Sequence, residues 1–362
     1  MKYLILALAS VLLTACASTP TPDLPPPIVT IIHPSATPTV TPLPTATHTT
    51  QQAIQPYTIE GLRAHDFQSG VIKRKATLLE TDLFTRYLIE YPSDGLRITG
   101  ILQIPKNGTE PFPVIVMNHG FFSRYVYQSG DGTDRAAEFL NRRGYLTISS
   151  DYRSWADADT GVSLFYSGLA IDVVNLMNAI PSIPEADADH IGMWGHSMGG
   201  GVTLKVITID SRVKAAVLYS SVSADFADII DRWGTGCLGN VLEGEATFGC
   251  NSSDVLPADS PQDLIDAYFK ASNDPAMLEK VSPIHYFDSV TIPVQITYGS
   301  EDGLTSNGAP PEWSKKMYEA FIDAGVDARI FGHEGEGHSL LATEWWNFME
   351  RSAQFYDRHV SP

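Results

Sequence analysis

The sequence predicts an α/β fold, a mostly parallel sheet with helices on both faces. Three observations carry that expectation. Short apolar runs alternate with helix-like segments from about residue 113 onward. One of these runs, HIGMWG (190–195), leads straight into HSMGGG, a turn crowded with small residues. Ahead of them, two alternating stretches flank Pro92-Ser93-Asp94-Gly95, the turn chemistry of a β-hairpin. Strands interleaved with helices bury both faces of a parallel sheet, and a leading hairpin supplies antiparallel edge strands.

Taken in order, the chain opens MKYLILALASVLLTAC. Lys2 is a positive start, and Tyr3 to Ala15 is an apolar stretch too short to span a bilayer, so residues 1–15 read as a signal peptide. Leu13-Thr14-Ala15-Cys16 resembles the lipobox of bacterial lipoproteins, which predicts a lipid on Cys16 and an exported, membrane-anchored protein on the cell surface or periplasmic side. An ordinary signal peptide with an incidental cysteine is the alternative, and it also exports the chain. Residues 16–56 are rich in Pro and Thr, with no glycine, lysine or arginine. They have little to bury and are expected to form an extended tether, reaching on the order of 100 Å at about 3.1 Å per residue. Cys237 and Cys250 are then the remaining pair, expected to form a disulfide in an oxidising compartment, with free thiols as the alternative.

The globular domain is expected over 57–362. FTRYLIEY (84–91) and LRITGILQI (96–104) are the hairpin strands. PVIVMN (113–118) is continuously apolar, as a strand buried on both faces must be. DRAAEFLNRRG (134–144) is a helix stopped by Gly144, followed by a strand at 145–150 and a helix over 164–180. Strand 190–195, helix 198–209 and strand 213–220 come next. Strand 292–299, helix 312–324, strand 326–332 and helix 341–358 complete the alternation. Residues 221–285 are far too long for a connection and read as a cap inserted over the C-terminal ends of the strands. Asp and Glu number 42 against 24 Lys and Arg, a formal charge of −18. Such a surface repels nucleic-acid phosphates and anionic lipid, leaving the N-terminal lipid as the only expected membrane contact.

Gly195-His196-Ser197-Met198-Gly199 fits G-x-S-x-G. The chemistry needs a strand that turns sharply into a helix with the serine exposed, and a side chain two residues to either side would collide there. Asp302, in SEDG after strand 292–299, stands where an orienting acid belongs, with Glu301 as its rival. His338, in the loop before the last helix, is the candidate base, with His333 as the rival. Serine, acid and histidine thus follow in the order this arrangement uses, each past a strand's C-terminal end. Oxyanion donors are expected from the backbone N–H groups of Met198 and Phe121. His119, Tyr125, Arg153, Trp155, Trp233 and Phe248 are candidate pocket residues. Four have a structural alternative: a loop hydrogen bond for His119, an ion pair with Asp151 or Asp157 for Arg153, and a small cap core for Trp233 and Phe248.

From about 82 to 358 the chain resembles the α/β-hydrolase superfamily. It is most similar to the catalytic domains of prolyl oligopeptidases and to dienelactone-hydrolase-type and acetyl-xylan-type esterases. The residues that carry this are MNHG (117–120), SSDYRSWADADTG (149–161), GMWGHSMGGG (192–201), SPIHYFDSVTIPVQITYGSEDG (282–303) and GEGHSLL (335–341). The SMGGG run also resembles bacterial cutinases, which lack so long a cap. The resemblance implies Ser197, Asp302 and His338 as a catalytic triad. It departs from the peptidases in leaving no room for their propeller between tether and hairpin. Hydrolysis of a small carboxylic ester is therefore the first expectation, short-peptide hydrolysis the second, and a surface-binding lipoprotein without turnover the third. No metal or organic cofactor is expected, since H-E-x-x-H and the nucleotide-binding signatures are missing.

Overall fold

The computed structural model describes residues 49–238 and 250–362. The signal peptide, Cys16, the tether up to residue 48 and Phe248 lie outside the described residues.

Folded chain begins earlier than composition suggests. Helix α1 (Thr50–Ile54) is closed by a capping box, in which the Thr49 hydroxyl accepts the Gln52 N–H and the Gln52 side chain accepts that of Thr49. Ile54 is wholly buried in the core. The tether expected through 56 is thus corrected at its end, because one capped turn and one apolar anchor suffice to dock it. Helix α2 (Ile59–Arg63) follows.

The sheet strands are β1 (Lys73–Glu80), β2 (Phe84–Ser93), β3 (Leu96–Pro105), β4 (Phe112–Asn118), β5 (Leu146–Ser150), β6 (Ala186–His196) and β7 (Val213–Tyr219). After a short parallel pair, β8 (Gly236–Leu238) and β9 (Asn251–Leu256), come β10 (Val294–Gly299) and β11 (Ala328–His333). The nine-stranded sheet is ordered β1-β2-β3-β5-β4-β6-β7-β10-β11. Pairings from β1 to β5 are antiparallel, and those from β5 onward are parallel. The hairpin turn is the two-residue Asp94-Gly95, both at positive φ (50° and 79°), which matches the twist of the strands it joins. β1 was not expected. It is exposed along its whole length and paired irregularly, so KRKATLLE shows no period-two pattern, and its lysines blunt an open edge.

Helices α3 (Asp134–Asn141) and α10 (Ala342–His359) cover one face. Helices α4 (Ser167–Ala179), α5 (Met198–Ile209) and α9 (Pro311–Asp323) cover the other. Along β4, Val114 and Val116 enter one core while Ile115 and Met117 enter the other, the reason PVIVMN reads as unbroken apolar sequence. The segment between β7 and β10 carries α6 (Phe226–Trp233), β8, β9, α7 (Gln262–Ala271) and α8 (Pro275–Val281). It meets the loops that follow the parallel strands. Val255 bridges Ser163, Arg124 donates to the Ser252 carbonyl, and Arg232 donates to the carbonyls of Gly303 and Thr305. Cys237 and Cys250 are joined in a disulfide within this insert.

Candidate active site

Ser197 stands between β6 and α5 with φ 54° and ψ −121°, a conformation that costs a non-glycine residue about 1–3 kcal/mol. The surroundings enforce it. Ser197 N–H donates to the Tyr219 carbonyl at 3.0 Å, and its own carbonyl accepts from Gly200 at 2.9 Å. A Cβ on Gly195 would stand 2.3 Å from the Gly199 carbonyl oxygen, and one on Gly199 would stand 2.0 Å from that of Asn118. Neither position admits a side chain. Ser197 Oγ takes no hydrogen bond among the described residues. Met198 opens α5, so its N–H has no partner inside the helix.

The loop after β4 closes on the serine, since a Cβ on Gly120 would come 3.2 Å from Ser197 Cβ. His119 holds that loop. Its Nδ1–H donates to the Gly120 carbonyl at 2.7 Å, and its ring lies between Tyr127 (4.5 Å) and Tyr152 (4.4 Å). Burial pushes its pKa down to about 4, so the ring is neutral. His119 is wholly buried, which takes it out of the pocket wall where the sequence reading placed it. Beneath it, Asp151 accepts from Thr99 (2.6 Å), Ser129 (2.5 Å) and Tyr127 (2.9 Å), while burial raises its pKa. Phe121 is 41% exposed and Tyr125 54% exposed on the same loop.

Asp302 follows β10, and its carboxylate is fully buried. Both its oxygens lie 3.0 Å from His338 Nδ1. Neither rival takes these places: the Glu301 side chain is exposed, and His333 binds Glu344 beside Arg351. Two residues that sequence reasoning missed hold the His338 loop. His196 Nε2–H donates to the His338 carbonyl at 3.2 Å, with the two rings 4.9 Å apart. Tyr219 stacks on His196 at 4.5 Å, and its hydroxyl accepts the Leu340 N–H. Desolvation, and then the neighbouring His338, pull the His196 pKa down to about 3. His196 sits inside the G-x-S-x-G motif, but no local signal ties it to a loop 142 residues away.

Three other pocket candidates have structural roles. Arg153 is a buried fork on Asp172, with Nε at 3.0 Å and Nη2 at 2.8 Å, and neither Asp151 nor Asp157 is its partner. Trp155 is wholly buried and donates to the Phe122 carbonyl at 3.0 Å. Trp233 donates to the Ser306 carbonyl at 2.8 Å, tying the insert to the loop after Asp302. No group of three His, Cys, Asp or Glu gathers at metal-binding distance among the described residues.

The BD-FAE family model matches residues 102–320, more than half of the chain. An acetyl xylan esterase from Paenibacillus sp. R4 superposes with a TM-score of 0.58 at 16% identity, covering 87% of this chain and 96% of that one. The acylaminoacyl peptidase of Pyrococcus horikoshii gives 0.57 at 18% identity over 77% of this chain and 42% of its own. Est1E of Butyrivibrio proteoclasticus gives 0.52 at 18% identity, covering 75% of this chain and 98% of that one. These likenesses establish an α/β-hydrolase fold. Among relatives by sequence, an uncharacterised 31.7 kDa protein of Escherichia coli is 28% identical over 127 residues, or 34% of this chain. That match spans 42% of the relative, under half of its length.

Proposed function

The chain belongs to the BD-FAE family, and from that premise we propose that it is a serine hydrolase cleaving carboxylic esters through an acyl-enzyme on Ser197. One observation carries the reading: both Asp302 oxygens lie 3.0 Å from His338 Nδ1, and His196, the residue before the strained, half-buried Ser197, donates to the His338 carbonyl at 3.2 Å. With Nδ1–H donated to the buried carboxylate, His338 keeps its Nε2 lone pair free to act as a base. Nε2 takes the Ser197 proton as Oγ attacks the carbonyl carbon. The N–H groups of Met198 and Phe121 receive the oxyanion, and His338 then protonates the leaving alcohol. Water, activated by the same histidine, hydrolyses the acyl-serine and restores the enzyme. Asp302 keeps the imidazolium oriented throughout.

Short-peptide hydrolysis is the second reading, because the same groups serve an amide and an acylaminoacyl peptidase shares the fold. A fluorophosphonate probe tests the common mechanism: wild type labels and Ser197→Ala does not. Equal labelling of the two, or no labelling of wild type, leaves the surface-binding reading standing. Comparing kcat/KM for p-nitrophenyl acetate with that for aminoacyl-p-nitroanilides separates ester from peptide, and preference for the anilides overturns the ester assignment.

The reading extends to an exported lipoprotein anchored through Cys16. The sequence LTAC after an apolar leader supports it, as does a disulfide of the kind that persists in oxidising compartments. Labelling of the cells with an alkynyl fatty acid should mark the wild-type protein and miss Cys16→Ala.

A further inference from the structure

Arg124 lies four residues beyond Gly120, on the loop that closes over Ser197. Its guanidinium carbon sits 4.1 Å from the centre of the Trp155 ring, and Phe121 meets that same ring edge-on at 6.4 Å. Trp155 is fixed in turn by its bond to the Phe122 carbonyl. Across the guanidinium stands the insert, where Nη2 donates to the Ser252 carbonyl at 3.0 Å. Arg124 therefore stands at the seam between the oxyanion loop and the insert.

Its donors are not used up. Nε is sealed from solvent without a partner, and Nη1 is neither bonded nor sealed among the described residues. Arg74, Arg97 and Arg153 reach a carboxylate, at 2.6, 3.4 and 2.8 Å, while Arg135, Arg232 and Arg351 rest against aromatic rings as Arg124 does. Arg124 pairs with none among the described residues. Asp254 acts on it electrostatically, but that carboxylate is occupied by the Tyr268 hydroxyl at 2.7 Å and the Tyr166 N–H at 3.3 Å. Burial pulls the Arg124 pKa down to about 10, which leaves it charged at neutral pH. A desolvated guanidinium is costly alone and favourable once a carboxylate meets its planar fork.

We propose that Arg124 binds a carboxylate of the substrate, so that the bond cut belongs to a molecule with an anionic group beside the reacting carbonyl. This rests on the hydrolase reading and deepens it. The carboxylate meets Nη1 while Trp155 and Ser252 keep the guanidinium plane fixed.

Two matched pairs test the idea: monoethyl succinate against ethyl butyrate for the acyl side, and 3-acetoxybenzoate against phenyl acetate for the leaving side. For each pair the ratio of kcat/KM, anionic over neutral, is compared between wild type and Arg124→Gln, which cancels intrinsic reactivity. On at least one pair the ratio should fall about tenfold, through KM, with Arg124→Lys intermediate because it keeps the charge but not the fork. Ratios equal within twofold on both pairs overturn the proposal. A binding arm separates this failure from failure of the hydrolase reading. Succinate and 3-hydroxybenzoate titrated calorimetrically into Ser197→Ala should bind at least one anion. The double variant Ser197→Ala, Arg124→Gln should lose that binding. If wild type fails to label with fluorophosphonate, the binding arm still decides Arg124, and equal binding in both variants refutes it.

Discussion

At Ser197 the backbone is strained, and what holds it there is local: two glycines with no room for a Cβ and a carbonyl that takes its N–H. His338 is different, because it sits on a loop and depends on what grips that loop. Asp302 fixes its ring, while His196 and Tyr219 fix its backbone. A displacement of about 1 Å in such a group costs on the order of a hundredfold in rate. His196→Phe keeps a ring against Tyr219 but deletes the N–H that reaches the His338 carbonyl. Its kcat on p-nitrophenyl acetate should drop about tenfold with little change in KM, and fluorophosphonate labelling should slow in step. His196→Gln restores an N–H donor and should recover most of that loss. If Phe and Gln behave alike, the hydrogen bond is not what positions the loop.

Among the elements, the parallel strands do the placing, each delivering a functional loop from its C-terminal end: β4 the Phe121 loop, β6 Ser197, β10 Asp302 and β11 the His338 loop. Helix α1 does something simpler, pinning the start of the domain through Ile54. Ile54→Ala removes a wholly buried side chain and should cost about 2–5 kcal/mol in urea unfolding. A cost near zero would return residues 49–56 to the tether. The central elements were legible because their patterns are strong: PVIVMN is apolar on both faces, and α5 spans Met198–Ile209 as the motif requires. β1 was illegible because an exposed edge strand has no face to bury, and α1 because five residues vanish into a Pro/Thr average. In the site, the turn of Ser197 between β6 and α5 and the pairing of Asp302 with His338 were legible from chain order and strand ends alone. Long-range partners could not. Arg153 finds Asp172 on α4, and His119 disappears between two tyrosines, because tertiary packing rather than spacing decides both.

For the molecule as a whole, pH dependence sets several buried groups against one another. His119 and His196 are held neutral, with pKa values pushed down to about 4 and about 3 chiefly by burial, against 6.5 in an unfolded chain. Between pH 6.5 and about 4 the unfolded chain binds more protons at these sites than the folded one, so their contribution to stability falls as pH falls. For His119 alone the loss is about 3 kcal/mol by pH 4. Buried Asp151 and Asp254 oppose it, since burial raises their pKa values and the folded state then gains protons first. Titration of the excess acidic residues also relieves self-repulsion in a chain of charge −18. The wild-type curve alone therefore cannot isolate the histidine. The difference between wild type and His119→Phe can. Urea unfolding at pH 7.5, 6, 5 and 4.5 should show the stability gap between them shifting in favour of the variant as pH falls, by about 2.5 kcal/mol over the full window. That shift is independent of what the substitution costs at pH 7.5. Parallel curves would mean that His119 takes a proton without penalty, and the neutral ring between Tyr127 and Tyr152 would have to be abandoned.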